Sequence, residues 1–563
     1  AHFYADQART LEQVDGARFT PAGVIAVIPP WNFPVAIPAG GVLAALAAGS
    51  AVVFKPAKLT QRCGAVVAEA LWAAGVPADV LALVDLADHD LGRQLVSDER
   101  IERVILTGSI ETAELFRSFR PDLGLLAETS GKNAIIVTPS ADLDLAAKDV
   151  AYSAFGHAGQ KCSAASLVVL VGSVATSKRF RRQLLDAVAS YEVGQPWDGA
   201  SRIGPLIGPA DGKLLRALTT VEPGQSWALE PEQLDAEGAL WRPGIRDGVQ
   251  PGSEYHLVEY FGPVLGIMTA DTLEEAVQIV NAVDYGLTSG LHSLDEAEIA
   301  QWMATIQAGN LYINRGITGA IVQRQPFGGW KASAVGAGAK AGGPNYLVGL
   351  TNWTDAPLMG ISADDALSTA AREVALAAGV AEDERDWLTG ALGTDEAAWA
   401  SEFGVVRDVT GLVTEQNAFR YQAVPVTIRF EQARIVDLIR VVAAGVRAGS
   451  PLTLSSAVEL PAPVAAWLVD CGVDCFVDDA EAWAKRVGVL AAGGRIRLLG
   501  GELASVAETA KGSVRLAVYA NPVLSAGRVE LLTFLREQAV SVTAHRFGTP
   551  IRREIPMLAP SRH

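Results

Sequence analysis

Cys162 is the residue in this chain best placed for chemistry. It stands in Gly156-His157-Ala158-Gly159-Gln160-Lys161-Cys162-Ser163-Ala164, a turn of small residues just before the strand-like run Leu167-Val168-Val169-Leu170. Of the four cysteines, it is the one set where backbone could approach a ligand closely. Its thiol serves as a nucleophile if its pKa is lowered, because the thiolate is the reactive form. On this stretch alone, a buried structural cysteine is the competing reading. Asn32 lies in Pro29-Pro30-Trp31-Asn32-Phe33-Pro34, where three prolines make a loop rigid enough to hold one polar side chain in fixed geometry. Glu128 follows the apolar run Leu125-Leu126-Ala127 and precedes a glycine turn at Gly131. That setting suits a strand end near a cleft, or else a solvated loop carboxylate.

The segments around these residues alternate between strand and helix. Residues 23–28 read as a buried strand, and an apolar helix follows from about Pro38 to Ala48, ended by Gly49. Strand Ala51-Val52-Val53-Phe54 runs into Lys55-Pro56-Ala57, a helix reaches about Ala74, and strands over 80–84 and 103–106 continue the pattern. Strand, helix, strand at this spacing predicts a parallel sheet with helices on its faces, and ligands bind beyond the carboxyl ends of such strands. Lys55 and Gly108-Ser109 both fall there. Each alone suits an ordinary turn, but their joint placement favours a phosphate- or ribose-bearing cofactor, with the first N–H groups of the helix after Ser109 facing an anion. Further along, Glu259-Tyr260-Phe261-Gly262-Pro263 leads into a strand, and strand 310–314 opens into Gly316-Ile317-Thr318-Gly319-Ala320 and then Pro326-Phe327-Gly328-Gly329.

The 563 residues predict more than one domain, and half of them are hydrophobic, enough for large cores. The net charge of −17, with no Lys/Arg block, argues against a nucleic-acid or anionic-membrane surface. No apolar run reaches transmembrane length and no signal peptide is evident. Four cysteines are too few for a disulfide scaffold and fit a reducing compartment, which predicts a cytoplasmic location. Cys471 and Cys475 lie without histidine or further cysteine nearby, so no metal site is expected, and both are predicted to be core residues.

In this order, Pro30-Trp31-Asn32-Phe33-Pro34, Lys55-Pro56, Thr107-Gly108-Ser109, Glu128 before Gly131, Gly159-Gln160-Lys161-Cys162 and Glu259-Tyr260-Phe261-Gly262-Pro263 resemble the core motifs of the aldehyde dehydrogenase superfamily. The likeness covers roughly residues 3–353. Gln160-Lys161-Cys162-Ser163 and Thr318-Gly319-Ala320, with Pro326-Phe327-Gly328-Gly329, are most similar to L-glutamate γ-semialdehyde (pyrroline-5-carboxylate) dehydrogenases, as in the C-terminal half of the bifunctional proline utilization A proteins. The resemblance implies an α/β aldehyde dehydrogenase fold: a Rossmann-like cofactor domain over 1–130, lacking the family's earliest segment ahead of Ala1, and a catalytic domain over 131–353. It implies oxidation of the semialdehyde to glutamate by NAD, the second step of proline catabolism. A dehydrogenase for another small aldehyde and a non-catalytic scaffold are the rival readings.

By the same resemblance, Cys162 attacks the aldehyde, Asn32 stabilises the oxyanion with the Cys162 N–H, and Glu128 activates water against the thioester. Trp31, Lys55, Pro56, Lys58, Gly108, Ser109, Glu259 and Phe261 are the implied cofactor residues: Lys55 and Glu259 for the two riboses, Ser109 for the pyrophosphate, Phe261 on the nicotinamide side. Lys161, Ser163, Gly319, Ala320 and Phe327 are the implied substrate residues, with Gly319 and Ala320 offering N–H groups to the α-carboxylate. Two positions depart from the pattern. Lys58 replaces the acid that many NAD-preferring members carry, so NADP is also admitted, and Ala113 replaces a glycine of the pyrophosphate turn, which implies an altered pose. The resemblance further implies a homo-oligomer, and a proline dehydrogenase module upstream in the full-length chain, with FAD only if that module is present.

After residue 353 the composition shifts to a linker with helices (354–423), and a second α/β alternation follows from 424 to 563. Its predicted strands are 424–430, 452–455, 473–477, 496–499, 514–520 and 540–545. Ser450–Ser456 parallels Ser50–Pro56, and Arg495–Gly500 parallels Arg103–Gly108, without the lysine, cysteine or glutamate motifs. The segment therefore reads as a degenerate, non-catalytic Rossmann-like domain, or as chance likeness between buried strands. Its tail, 540–556, is expected to cover the catalytic domain or a subunit interface.

Overall fold

The structure, a computed structural model, describes residues 1–358 and 360–551. Strands β1 (Val24–Ile28), β2 (Ala51–Phe54), β3 (Leu81–Leu83), β4 (Ile101–Thr107) and β5 (Gly124–Glu128) form a parallel sheet in the order 5-4-1-2-3, extended beyond β5 by the antiparallel strand Ala334–Val335. The expected alternation is present, with element ends within a few residues of those predicted. Ile25, Ala26, Val104 and Leu125 are buried because helices cover the sheet, which is why these strands read as continuous apolar runs.

The second sheet holds β6 (Asn133–Val137), β7 (Ala165–Val171), β8 (Ser226–Leu229), β9 (Gly244–Asp247), β10 (Val264–Ala270), β11 (Thr288–His292) and β12 (Asn310–Ile313). Two strands from the C-terminal third complete it to nine: Leu535–Thr543 lies parallel to β12, pairing Asn310 with Ala539 through Ile313 with Val542, and Glu415–Ala423 lies antiparallel outside it. This corrects two expectations. The strand predicted over 540–545 starts at Leu535 and joins this sheet, not the C-terminal one, and the segment 354–423 holds a nine-residue strand besides its helices Ala366–Ala377 and Glu382–Ala398. A buried apolar pattern marks a strand but not the sheet edge that receives it.

The third sheet comprises β13 (Val426–Phe430), β14 (Leu452–Ser456), β15 (Asp474–Val477), β16 (Gly494–Leu499) and β17 (Leu516–Tyr519), all parallel, in the order 15-14-13-16-17. Counted from its first strand this is the order of β1–β5, and the segments paralleled in sequence occupy equivalent strands. β15 is an exposed edge, so Cys475 on it is exposed and Cys471 is half-buried; neither is the core residue expected. Beyond Thr543 a short hairpin pairs His545 with Pro550, and Arg546 reaches Asp142 at 3.3 Å; residues 552–556 of the expected covering tail lie outside the described residues.

Candidate active site

The cysteine turn is held by an unusual backbone. His157, Ala158 and Gly159 follow one another in the left-handed region, with φ of 61°, 53° and 67°. Two of the three are not glycine, so the conformation costs energy that neighbouring contacts must supply. At Gly159 a Cβ would stand 2.2 Å from the Gly262 carbonyl oxygen, so only glycine fits. The His157 ring stacks on Phe33 at 5.4 Å, and its Nε2 donates to the Asn32 carbonyl at 2.9 Å. Asn32 in turn donates from Nδ2 to the Gln160 carbonyl at 3.2 Å. The proline-rich loop after β1 and the cysteine turn before β7 are thereby locked to each other.

Asn133, the first residue of β6, clamps the turn from the other side. Its Nδ2 donates to the carbonyls of Cys162 (2.7 Å) and Ala164 (3.0 Å), and its Oδ1 accepts from the Thr288 N–H at 3.0 Å. Gly131 lies so close that a Cβ there would sit 3.0 Å from the Cys162 carbonyl oxygen, and its N–H donates to Glu259 Oε1 at 3.0 Å. Sequence reasoning singled out Gly131 only as a turn and missed Asn133. A buried asparagine opening an all-apolar strand was the available signal.

Glu128 ends β5, where the Gly329 N–H donates to its Oε2 at 3.1 Å. Burial pushes its carboxyl up to about 8, against the pull of the Lys340 ammonium and that hydrogen bond. Burial, aided by the Glu128 and Glu259 carboxylates, pushes the Cys162 thiol up to about 12, so the resting residue is a thiol and not the lowered-pKa thiolate that nucleophilic chemistry needs. Burial also raises Glu259. Sequence reasoning missed Lys340 as well. It is a buried lysine in the small-residue run Gly336-Ala337-Gly338-Ala339-Lys340-Ala341, donating from Nζ to Asn310 Oδ1 at 2.9 Å and to the Gly328 carbonyl.

One cavity of about 1690 Å³ joins most of the residues singled out: Trp31, Asn32, Gly108, Ser109, Glu128, Cys162, Ser163, Glu259, Phe261, Gly319, Ala320 and Phe327. Lys55, Pro56, Lys58 and Lys161 are not on its lining. Lys55, at the end of β2, is half-buried, and its ammonium is lowered by burial against the opposing pull of Asp85. Pro56 is buried against Gly64, and Lys58 is exposed. The Lys161 ammonium faces the Tyr152 ring at 5.6 Å and is lowered by burial, against the pull of Cys162.

At the cofactor end, Ser109 caps the helix Ile110–Phe119 by accepting from the Thr112 N–H. Gly108 donates to the Glu128 carbonyl at 3.1 Å, which joins the ends of β4 and β5. Ala113 is fully buried, so its methyl packs inward. Trp31 and Phe261 meet edge-on at 5.6 Å on one wall. At the other end, Gly319 takes φ +86°, and the amides of Gly319 and Ala320 find no acceptor among the described residues. Two free N–H groups at a cavity mouth suit a carboxylate.

The first parallel sheet thus ends on a cavity whose lining holds both the cysteine turn and Glu128. Residues 2–355 match the aldehyde dehydrogenase family, and the chain belongs to that family and has its fold. Among its relatives, the 1-pyrroline-5-carboxylate dehydrogenase of Geobacillus thermodenitrificans is 37% identical over 339 residues, which is 59% of this chain and 65% of that protein. The structure of Proline Utilization A (PutA) from Corynebacterium freiburgense matches 97% of this chain and 52% of its own, at 46% identity and a TM-score of 0.84. A 1-pyrroline-5-carboxylate dehydrogenase from Thermus with bound NAD matches 63% of this chain and 72% of its own, at 32% identity and a TM-score of 0.58. The chain thus spans less than two-thirds of the first curated relative and about half of the PutA chain. The PutA likeness also continues through the third sheet, beyond the family match.

Proposed function

We propose that this chain carries out the NAD-dependent oxidation of L-glutamate γ-semialdehyde, formed by hydrolytic opening of pyrroline-5-carboxylate, to L-glutamate. The observation that carries this reading is the meeting of Cys162, Asn32 and Glu128, far apart in sequence, on one cavity that ends in the free amides of Gly319 and Ala320. The names of the relatives point the same way.

The residue types suggest the course of the reaction. Once its proton is removed, the Cys162 sulfur adds to the aldehyde carbon, and the Asn32 Nδ2–H not engaged by Gln160 joins the Cys162 N–H in donating to the oxyanion. NAD, when bound, supplies the hydride acceptor. The wall of Trp31 and Phe261, the carboxylate of Glu259 and the capped turn at Gly108-Ser109 suit a dinucleotide. Glu128 then takes a proton from the water that attacks the thioester carbon, releasing glutamate and restoring the thiol. The Gly319 and Ala320 amides take the substrate's α-carboxylate, Phe327 packs on its aliphatic chain, and Lys161 and Ser163 assist from the cysteine turn.

Lys55 and Lys58 stand off the cavity lining. In this reading they act at the adenosine end, where Lys58 tolerates a 2′-phosphate, so NADP is accepted beside NAD. Residues 1–130 and 131–353 serve as cofactor and catalytic domains, 354–423 as a connecting segment and 424–563 as a non-catalytic domain. In the full-length protein a proline dehydrogenase module with FAD supplies the substrate, and the assembly is a cytoplasmic homo-oligomer.

The test is turnover of pyrroline-5-carboxylate and of hexanal by the purified protein, followed by reduced-nicotinamide absorbance. Oxidation of the first well above the second, abolished by Cys162→Ser, is expected. Equal rates on hexanal, or activity surviving the substitution, overturn the reading.

A further inference from the structure

Glu128 does not stand alone in its buried surroundings. Lys340 lies behind it, separated by the Gly328-Gly329 loop, and a Cβ at Gly328 would sit 2.7 Å from Glu128 Oε1 and 3.0 Å from Lys340 Cγ. The loop is thus thin enough for carboxylate and ammonium to act on each other across it. The ammonium holds the loop directly, through the Gly328 carbonyl and Asn310 Oδ1, while the next residue's N–H holds Glu128. Asn310 also accepts from the Gly328 N–H at 3.2 Å and donates to the Pro326 carbonyl at 2.9 Å, so the loop is pinned at Pro326, Gly328 and Gly329.

On the far side of Lys340 is a second carboxylate, the buried Glu537, on the strand that the C-terminal third inserts beside β12. Its Oε2 accepts from the Lys340 N–H at 2.5 Å and its Oε1 from Asn345 Nδ2 at 2.6 Å. Asn345 also donates to the Tyr421 hydroxyl at 2.8 Å, and that hydroxyl donates to Glu402 at 2.8 Å. A buried lysine beside the buried Glu537 and the half-buried Glu128 is costly unless its charge is compensated, and its removal leaves the remaining charges unbalanced. Neither Lys340 nor Glu537 has a part in the chemistry proposed above.

We infer that Lys340 is a positioning residue for Glu128: its ammonium fixes the loop that holds the carboxylate and favours the ionised form of that carboxylate, while Glu537 anchors Lys340 from the C-terminal segment. This rests on the role proposed for Glu128 and deepens it. The groups that face Glu128 are Lys340, which favours its ionisation, Glu537 and the Cys162 thiol, whose negative forms oppose it, and the half-buried Tyr346. Lys340 supplies the one positive charge among them. Burial moves the two partners in opposite directions, Glu128 upward and Lys340 downward, and the charge of each opposes the shift of the other.

The test uses the 563-residue chain and Lys340→Gln, which keeps hydrogen-bond donors for the loop and removes the charge. Infrared difference spectroscopy of the resting protein follows the protonated carboxyl band, assigned by its loss in Glu128→Gln. The expected result is an upward move of the Glu128 midpoint by about one to three pH units in Lys340→Gln, with the ascending limb of the kcat profile moving alongside. Lys340→Arg, which retains the charge, is expected to restore the midpoint. An unmoved midpoint in Lys340→Gln, or a shifted midpoint that Lys340→Arg fails to restore, overturns the inference. The infrared titration needs no turnover, so the two proposals fail separately. A Lys340-dependent band without pyrroline-5-carboxylate oxidation removes the proposed function, and oxidation with an unmoved band removes this inference.

Discussion

Asn133→Ala is the sharpest test of how the cysteine turn is held. The side chain is buried and makes three hydrogen bonds to backbone, two as donor to the Cys162 and Ala164 carbonyls and one as acceptor from the Thr288 N–H. Each is worth about 1 kcal/mol net, and more where removal strands a buried partner, so the substitution should cost about 3–4 kcal/mol. Chemistry should suffer beyond stability. The turn already holds His157 and Ala158 at positive φ, and without the clamp the backbone can relax away from that conformation and displace the sulfur. A misplacement of about 1 Å costs on the order of 10²-fold in rate. Asn133→Asp separates the two effects: it keeps the acceptor for Thr288 but sets a carboxylate against two carbonyls, so its loss of turnover should be at least as large. The assays are denaturant unfolding followed by far-UV circular dichroism, and kcat on pyrroline-5-carboxylate. An Ala variant within about 0.5 kcal/mol of the parent, with kcat within threefold, would refute the clamp.

Two further outcomes follow from the same geometry. Because burial lifts Glu128 to about 8, thioester hydrolysis should slow about tenfold per unit as the pH falls below 8, the protonated carboxyl being unable to take a proton from water. A burst of reduced cofactor that grows as the pH drops from 8 to 6.5 would mark the accumulated thioester, and a kcat flat over that range would remove Glu128 as the base. Gly159→Ala places a Cβ 2.2 Å from the Gly262 carbonyl oxygen at φ +67°, and should lower stability by more than about 2 kcal/mol while abolishing turnover. A variant with parent-like melting temperature and kcat would show that the turn is not so confined.

The parts of this architecture legible in the sequence are those set by local pattern. β1, β2, β4 and β5 are short, mainly apolar runs that stop at Pro29, Lys55, Thr107 and Glu128, and all of these stops but Lys55 line the cavity. The order of motifs in the first 353 residues also pointed to the family, which the match over residues 2–355 bears out. What pattern could not give was pairing across long separations. Leu535–Thr543 reads as a buried strand wherever it goes, and its place beside β12 depends on a partner more than 200 residues earlier. Glu537 and Lys340 were invisible for the same reason: Lys340 is one charge in a small-residue run and Glu537 one of the polar residues Arg536-Glu537-Gln538, and only three-dimensional placement turns the two into neighbours of Glu128. Lys55 and Lys58 show the converse, since adjacency to a strand end put them in the expected site although neither lines the cavity.

The first and third sheets share a strand order, but what fills the carboxyl ends of their first and fourth strands differs. β4 ends in Thr107-Gly108-Ser109, whose atoms line the cavity, and β5 ends in Glu128 on the same wall. In the third sheet, β13 carries Arg429 near its end, fully buried, donating at 3.0 Å to Ser455 Oγ and to the Asp478 carbonyl, with Trp483 over the guanidinium. β16 carries Arg497, also fully buried, paired with Glu530 at 2.8 Å and donating to the Asn521 carbonyl. After β16 comes Gly500, so close to the chain that a Cβ there would overlap the Glu431 carbonyl oxygen. Protein cations and carbonyls therefore occupy the ends where a parallel sheet of this order ordinarily receives a phosphate. Emptying such a site by substitution would leave buried charges unpaired, at about 3–5 kcal/mol each, so the arrangement commits these strand ends to structure. Committed in that way, the C-terminal third bears on the chemistry through the strand it lends to the catalytic sheet and through Glu537 on that strand.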